Sequence, residues 1–207
     1  PNVNKHIMGT CKLCKQETVL IKQSHILSDF LHSDLYDENH KLRQIDVIAL
    51  SKGIDRESRP SSGSYEGGLL CNICDNELFL LSLLWRAGIS TREEYKEVDL
   101  GMYSEIIRKQ IFENKTSEDN NIQITIYKFE EGSNYSSFIG QPRRHKFGHS
   151  TAYSMVITGY LIVYHLREND ISKKAYNNRL KENNIVAIIE VPKNKVEKFV
   201  MKYTGMI

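Results

Sequence analysis

CKLCKQETVLIKQSHI, residues Cys11–Ile26, decides the fold when it is read with LLCNICD, residues Leu69–Asp75. Each stretch holds a CxxC pair, which presents two sulfurs from one tight turn, and two such pairs complete a tetrahedron around a metal ion. Cys11, Cys14, Cys71 and Cys74 are therefore expected to hold a structural zinc ion. A closed four-thiolate set leaves the ion no open position, so any catalysis must come from other residues. The alternative is four unrelated buried thiols.

Working outward, Thr18–Ile21 reads as a β-rich strand that ends near His25. Leu27, Phe30, Leu31 and Leu35 recur at helical spacing and predict a short amphipathic helix to Tyr36. The polar, broken stretch from Asp37 to Gly68, with its run Arg59–Ser64, reads as surface loop. Leu78–Ala87 is apolar on nearly every side and predicts a buried helix, with Trp85 packing and Arg86 capping its end. The passage into it through Asp75, Asn76 and Glu77 is abrupt enough to suggest a missing segment near Glu77. Thr91–Asn114 reads as helix, with Ile106, Ile107, Ile111 and Phe112 turned inward. Ile122–Phe129, Tyr153–Thr158, Tyr160–Leu166 and Ile185–Val191 read as strands, and Asn194–Tyr203 as a closing helix.

The 207 residues carry a net charge of +2, too small to mark a nucleic-acid partner unless the charge is locally clustered. One such cluster is the run Arg143–His149, in which Arg143, Arg144 and Lys146 are candidate phosphate contacts; a solvated loop is the alternative reading. No run approaches the roughly 18 apolar residues of a membrane span, and the first residues lack the apolar core of an export signal. The expectation is a cytoplasmic chain without membrane contact, in a reducing compartment that keeps cysteines as thiolates. No P-loop, dinucleotide fingerprint or nucleophile elbow is present.

The order CxxC, strand, histidine, insertion, CxxC, acidic residue and helix, with the strings QSHIL and LLCNICD, resembles the HNH endonuclease family over about residues 9–77. The helices and strands read above make an α+β fold, with a helical segment over 78–120 and an antiparallel β-rich part with its closing helix over 121–207. The resemblance implies a treble-clef or ββα-metal zinc unit over 1–77. It implies metal-dependent cleavage of phosphodiester bonds, in DNA, with a role in anti-phage defence. His25 would be the general base, and Asp75, ahead of Asn76 and Glu77, a ligand of catalytic Mg2+ or Mn2+. Ser24 departs from the family pattern, which has Asp, Glu or His before the base. Two rivals remain: a non-catalytic zinc module that binds nucleic acid or protein, and a subunit or homo-oligomer docked through its C-terminal sheet.

Overall fold

In the computed structural model, the described residues are 7–26, 36–41, 44–45, 57–58, 64–76, 80–113, 122–132, 139–147, 150–167 and 186–204. The fold is α+β, and the chain divides into two compact units: Pro1–Asp29 with Ser62–Ser117, and Phe30–Ser61 with Glu118–Ile207. The expected helix over Leu27–Tyr36, the Arg59–Ser64 loop except for its last residue, and the junction at Glu77 lie outside the described residues.

In the first unit, β1 (Ile7–Thr10) and β2 (Glu17–Leu20) form an antiparallel hairpin whose turn is the first CxxC. Cys11 N–H donates to Gln16 O and Lys15 N–H to Cys11 O, and Lys15 takes the left-handed conformation at φ 64° that closes the turn. β3 (Ser24–His25) then pairs with β6 (Tyr65–Glu66). Between the two pairings, Gly68 N–H donates to Ile21 O and Ile21 N–H to Leu70 O, which sets Cys71 against Leu20. A Cβ at Gly67 would meet Lys22 O at 2.2 Å, so this close approach needs glycine. Cys71 caps the short helix α1 (Asn72–Asp75), so the second CxxC begins a helix where the first closes a hairpin.

The helices α2 (Leu80–Ile89) and α3 (Tyr103–Glu113) bury Leu83, Leu84, Trp85 and Ala87 on one side and Ile107 and Ile111 on the other. Each such aliphatic side chain contributes about 1.5–3 kcal/mol relative to exposure. The expected long helix from Thr91 is broken: Glu93–Tyr95 is a 3-10 turn, and Asp99 Oδ1 accepts from Gly101 N–H just ahead of α3. Glu66 fastens β6 to the end of α2, accepting from Ser90 Oγ (2.5 Å), Thr91 Oγ1 (2.7 Å) and Thr91 N–H (3.0 Å). Burial works against its ionisation, but these hydrogen bonds prevail and hold the carboxyl below its ordinary value. A depressed folded-state pKa gives stability that is complete above the unfolded value and lost as pH falls through the folded one. Glu66→Ala should therefore cost about 1–2 kcal/mol at neutral pH, and the deficit against the parent chain should shrink on acidification. Chemical denaturation at both pH values checks this.

The second unit holds the short pair β4 (Gln44–Ile45) and β5 (Glu57–Ser58) and a five-stranded sheet of order β11-β7-β10-β9-β8. The strands are β7 (Ile122–Phe129), β8 (Ile139–Phe147), β9 (Ser150–Ile157), β10 (Tyr160–Arg167) and β11 (Val186–Val191). Thr158 and Gly159, both at positive φ, make the two-residue turn that closes the expected β9–β10 hairpin. Two expectations are corrected. The sheet is mixed, because β11 runs parallel to β7. The basic run, for which a solvated loop is the alternative reading, belongs as far as Phe147 to edge strand β8, whose irregularity between Gly140 and Arg143 accommodates Pro142. The closing helix α4 (Lys193–Thr204) packs Val196 and Val200 with Phe129, Val156, Leu161, Val163 and Val191.

Candidate metal centre

The four cysteine sulfurs lie within 4.8 Å of one another, with Cys11, Cys71 and Cys74 buried and Cys14 half-buried. Zinc–sulfur bonds of about 2.3 Å place tetrahedral sulfurs about 3.8 Å apart, so the donor set and its spacing fit one metal ion. Cys71 N–H donates to Cys11 Sγ at 3.4 Å, the kind of outer hydrogen bond that orients a thiolate. Burial opposes ionisation of Cys11, but hydrogen bonds from the backbone of Cys14, Cys71 and Leu13 outweigh it and lower the thiol to about 7. Burial raises Cys14 and Cys74, and the charge of Cys11 raises both further. The Cys11 thiolate forms readily, while burial first and the Cys11 charge second oppose ionisation of Cys14 and Cys74, a cost that a divalent cation relieves. From α3, Arg108 Nη1 donates to Leu13 O at 2.5 Å and braces the first knuckle.

Beside this cluster, Arg86 joins three elements. Its Nη1 donates to His25 O and to Asp75 Oδ1, each at 2.9 Å, and its Nη2 donates to Asp75 O at 2.6 Å. Ser24 Oγ donates to the same Asp75 Oδ1. Arg86 is only 3% exposed and Ser24 1%, so the strand end that carries His25 is fixed to the helix of the second CxxC through a buried guanidinium. The sequence reading gave Arg86 a cap at the helix end. A single cation inside LLSLLWRAGI was the available signal of a buried, paired charge.

His25 is half-buried, with the Tyr65 ring edge-on at 6.3 Å between centroids. Its Nδ1 is buried and, among the described residues, has no hydrogen-bond partner, as is Nε1 of Trp85. The structure thus brings His25 and Asp75 together across Arg86. No cluster of three or more metal-ligating side chains other than the cysteines occurs among the described residues. Asn76 lies exposed and donates to Asn72 O, and Glu77 lies outside the described residues.

Arg143, Arg144 and Lys146 lie on β8, in the other compact unit. Strand alternation puts the half-buried Arg143 and the exposed Arg144 on opposite faces, so the basic run does not form one surface. The side chain of Lys146 lies outside the described residues. No described helix is long and apolar enough to cross a membrane. No protein-family model, no curated protein and no solved structure matches the chain.

Proposed function

We propose that the first unit is a treble-clef zinc module of the HNH type and that the chain is a metal-dependent endonuclease acting on DNA. Zinc on Cys11, Cys14, Cys71 and Cys74 is structural, because four thiolates leave it no open position. The observation that carries the reading is the place of His25, whose buried Nδ1 has no hydrogen-bond partner among the described residues, at the end of a strand that Arg86 and Asp75 tie to the helix of the second CxxC.

His25 takes a proton from the attacking water, since imidazole is the side chain that exchanges protons near neutral pH. Asp75 offers its second carboxylate oxygen to a hard divalent cation, its first being tethered by Arg86 and Ser24. A magnesium or manganese ion there would neutralise charge on the phosphate. Of the basic residues on β8, the exposed Arg144 is the candidate contact to the nucleic-acid phosphates.

A specific observation favours a second reading. The Asp75 carboxylate already serves a buried ion pair, a structural task that suits a non-catalytic module for nucleic acid or protein.

Plasmid nicking with Mg2+ or Mn2+ tests the two. The parent chain should cut, and His25→Ala should cut about 10²–10⁴-fold more slowly with its zinc intact. A zinc-loaded, folded parent chain that leaves the plasmid whole would sink the nuclease reading in favour of the module.

A further inference from the structure

The short pairing of β3 with β6 sets Ser24 opposite Glu66 and His25 opposite Tyr65. Opposed residues share a face and successive residues alternate, so the two pairs point to opposite sides. The first pair is taken up by the framework: Ser24 Oγ donates to Asp75 Oδ1, and the Glu66 carboxylate accepts from Ser90 and Thr91. The second pair is not. His25 Nδ1 has no hydrogen-bond partner, and Tyr65 Oη makes no hydrogen bond, among the described residues.

The backbone beneath Tyr65 is held from both sides. Ile26 N–H donates to Ser64 O at 2.9 Å, and Arg92 Nη1 donates to Tyr65 O at 3.1 Å. The ring that these bonds position is 38% exposed, so it is not core. Its centroid lies 6.3 Å from that of the imidazole, with the ring planes at 65°. Rings at that angle are not stacked on each other, and at least one face of the phenol stays open to a third ring. A single exposed apolar side chain is ordinary. Here the ring is paired with the one histidine between the two CxxC stretches whose imidazole nitrogen is buried and unpartnered, on a strand fastened by the bonds just named.

We infer that Tyr65 is a substrate-contacting residue whose ring stacks on an unpaired nucleobase and so presents the adjoining phosphate to His25. The inference rests on the nuclease reading of His25 and adds the substrate class to it: DNA that is single-stranded or locally opened. Bases within a duplex are stacked on their neighbours, so drawing one onto Tyr65 costs unstacking, whereas a single strand offers its base faces freely. Stacking on a phenol ring needs no basic surface. That agrees with the small net charge of +2 and with the nearby guanidinium of Arg92 being paired with Glu94.

Fluorescence anisotropy tests the inference without any cutting. The zinc-loaded full chain, with no Mg2+ or Mn2+, is titrated into a labelled oligothymidylate and into the same strand paired with its complement. The single strand should bind more tightly. Tyr65→Leu should weaken single-strand binding about tenfold or more, and Tyr65→Phe, which keeps the ring, should leave it unchanged. In the parent chain the Tyr65 ring protons should move upfield in NMR spectra as the oligothymidylate is added, a readout that stands even where Tyr65→Leu fails to fold. Cleavage is scored separately: a chain that binds in this way but leaves DNA whole loses the nuclease reading and keeps Tyr65 as a base contact. Preference for the duplex, undiminished binding by a folded Tyr65→Leu, an equal loss in Tyr65→Phe, or unmoved ring protons would each overturn the inference, even in a chain that cuts.

Discussion

Replacing Cys74 with serine should release the metal and unfold β1, β2, β3 and α1 while leaving the C-terminal sheet folded. The hairpin β1–β2 is short, and its exposed pair Met8 and Val19 gives it little core of its own. Structural zinc supplies about 10–16 kcal/mol of binding free energy in small zinc domains, comparable to or above the roughly 5–15 kcal/mol net stability of a whole domain. Hydrogen exchange of the variant should show amide protection lost across residues 7–26 and kept in β7, β9 and β10. Chelation of the parent chain should reproduce that pattern and added zinc should reverse it. The pH dependence has a definite sign. Thiols must shed protons to bind metal, and burial and the Cys11 charge raise Cys14 and Cys74, so affinity falls as pH falls and acid releases the ion. Full protection of residues 7–26 in the metal-free variant would show that the cysteines are ordinary core thiols.

Arg86→Met should be the most damaging single change away from the cysteines. Methionine fills much of the space and keeps the helix, but it leaves the Asp75 carboxylate, Asp75 O and His25 O without the guanidinium that serves all three. Removing one partner of a buried ion pair costs about 3–5 kcal/mol. The Asp75 side chain is 20% exposed, so water softens the loss and the lower end of that range applies. Arg86→Met with Asp75→Asn should recover part of it, because the second change removes the stranded charge. Denaturant titrations of the three variants measure this. A loss below about 1 kcal/mol for Arg86→Met alone would mean that Arg86 does not hold His25 against the helix of the second CxxC.

The parts of this molecule legible in the sequence are those whose signals are local. Two CxxC spacings foretold the sulfur cluster, because ligand geometry acts within four residues. Thr158-Gly159 between two alternating apolar runs foretold the β9–β10 hairpin, because positive φ is needed at the turn itself. Strand β8 was obscured by Pro142 and three basic residues, which favour loops; an edge strand tolerates both, since one side of its ladder faces no partner. The parallel pairing of β11 with β7 depends on which strands become neighbours, and no short window carries that information. The interruption before α3 was present as Asp99-Leu100-Gly101, an Asx turn with glycine at φ 49°, but the helical spacing on either side masked it. At the site, His25 stood out by its place between the knuckles. The Arg86 bridge did not, because a bond from α2 to β3, 61 residues apart, is a product of packing.

The central claim is that four thiolates hold a metal ion and thereby set the framework that carries His25. Metal analysis of the chain, purified without added metal, tests it most directly when paired with thiol titration of the native protein. One zinc per chain, with all four cysteines unreactive until a chelator is added, is the predicted result. A folded chain without zinc, whose thiols react at once, would contradict the account.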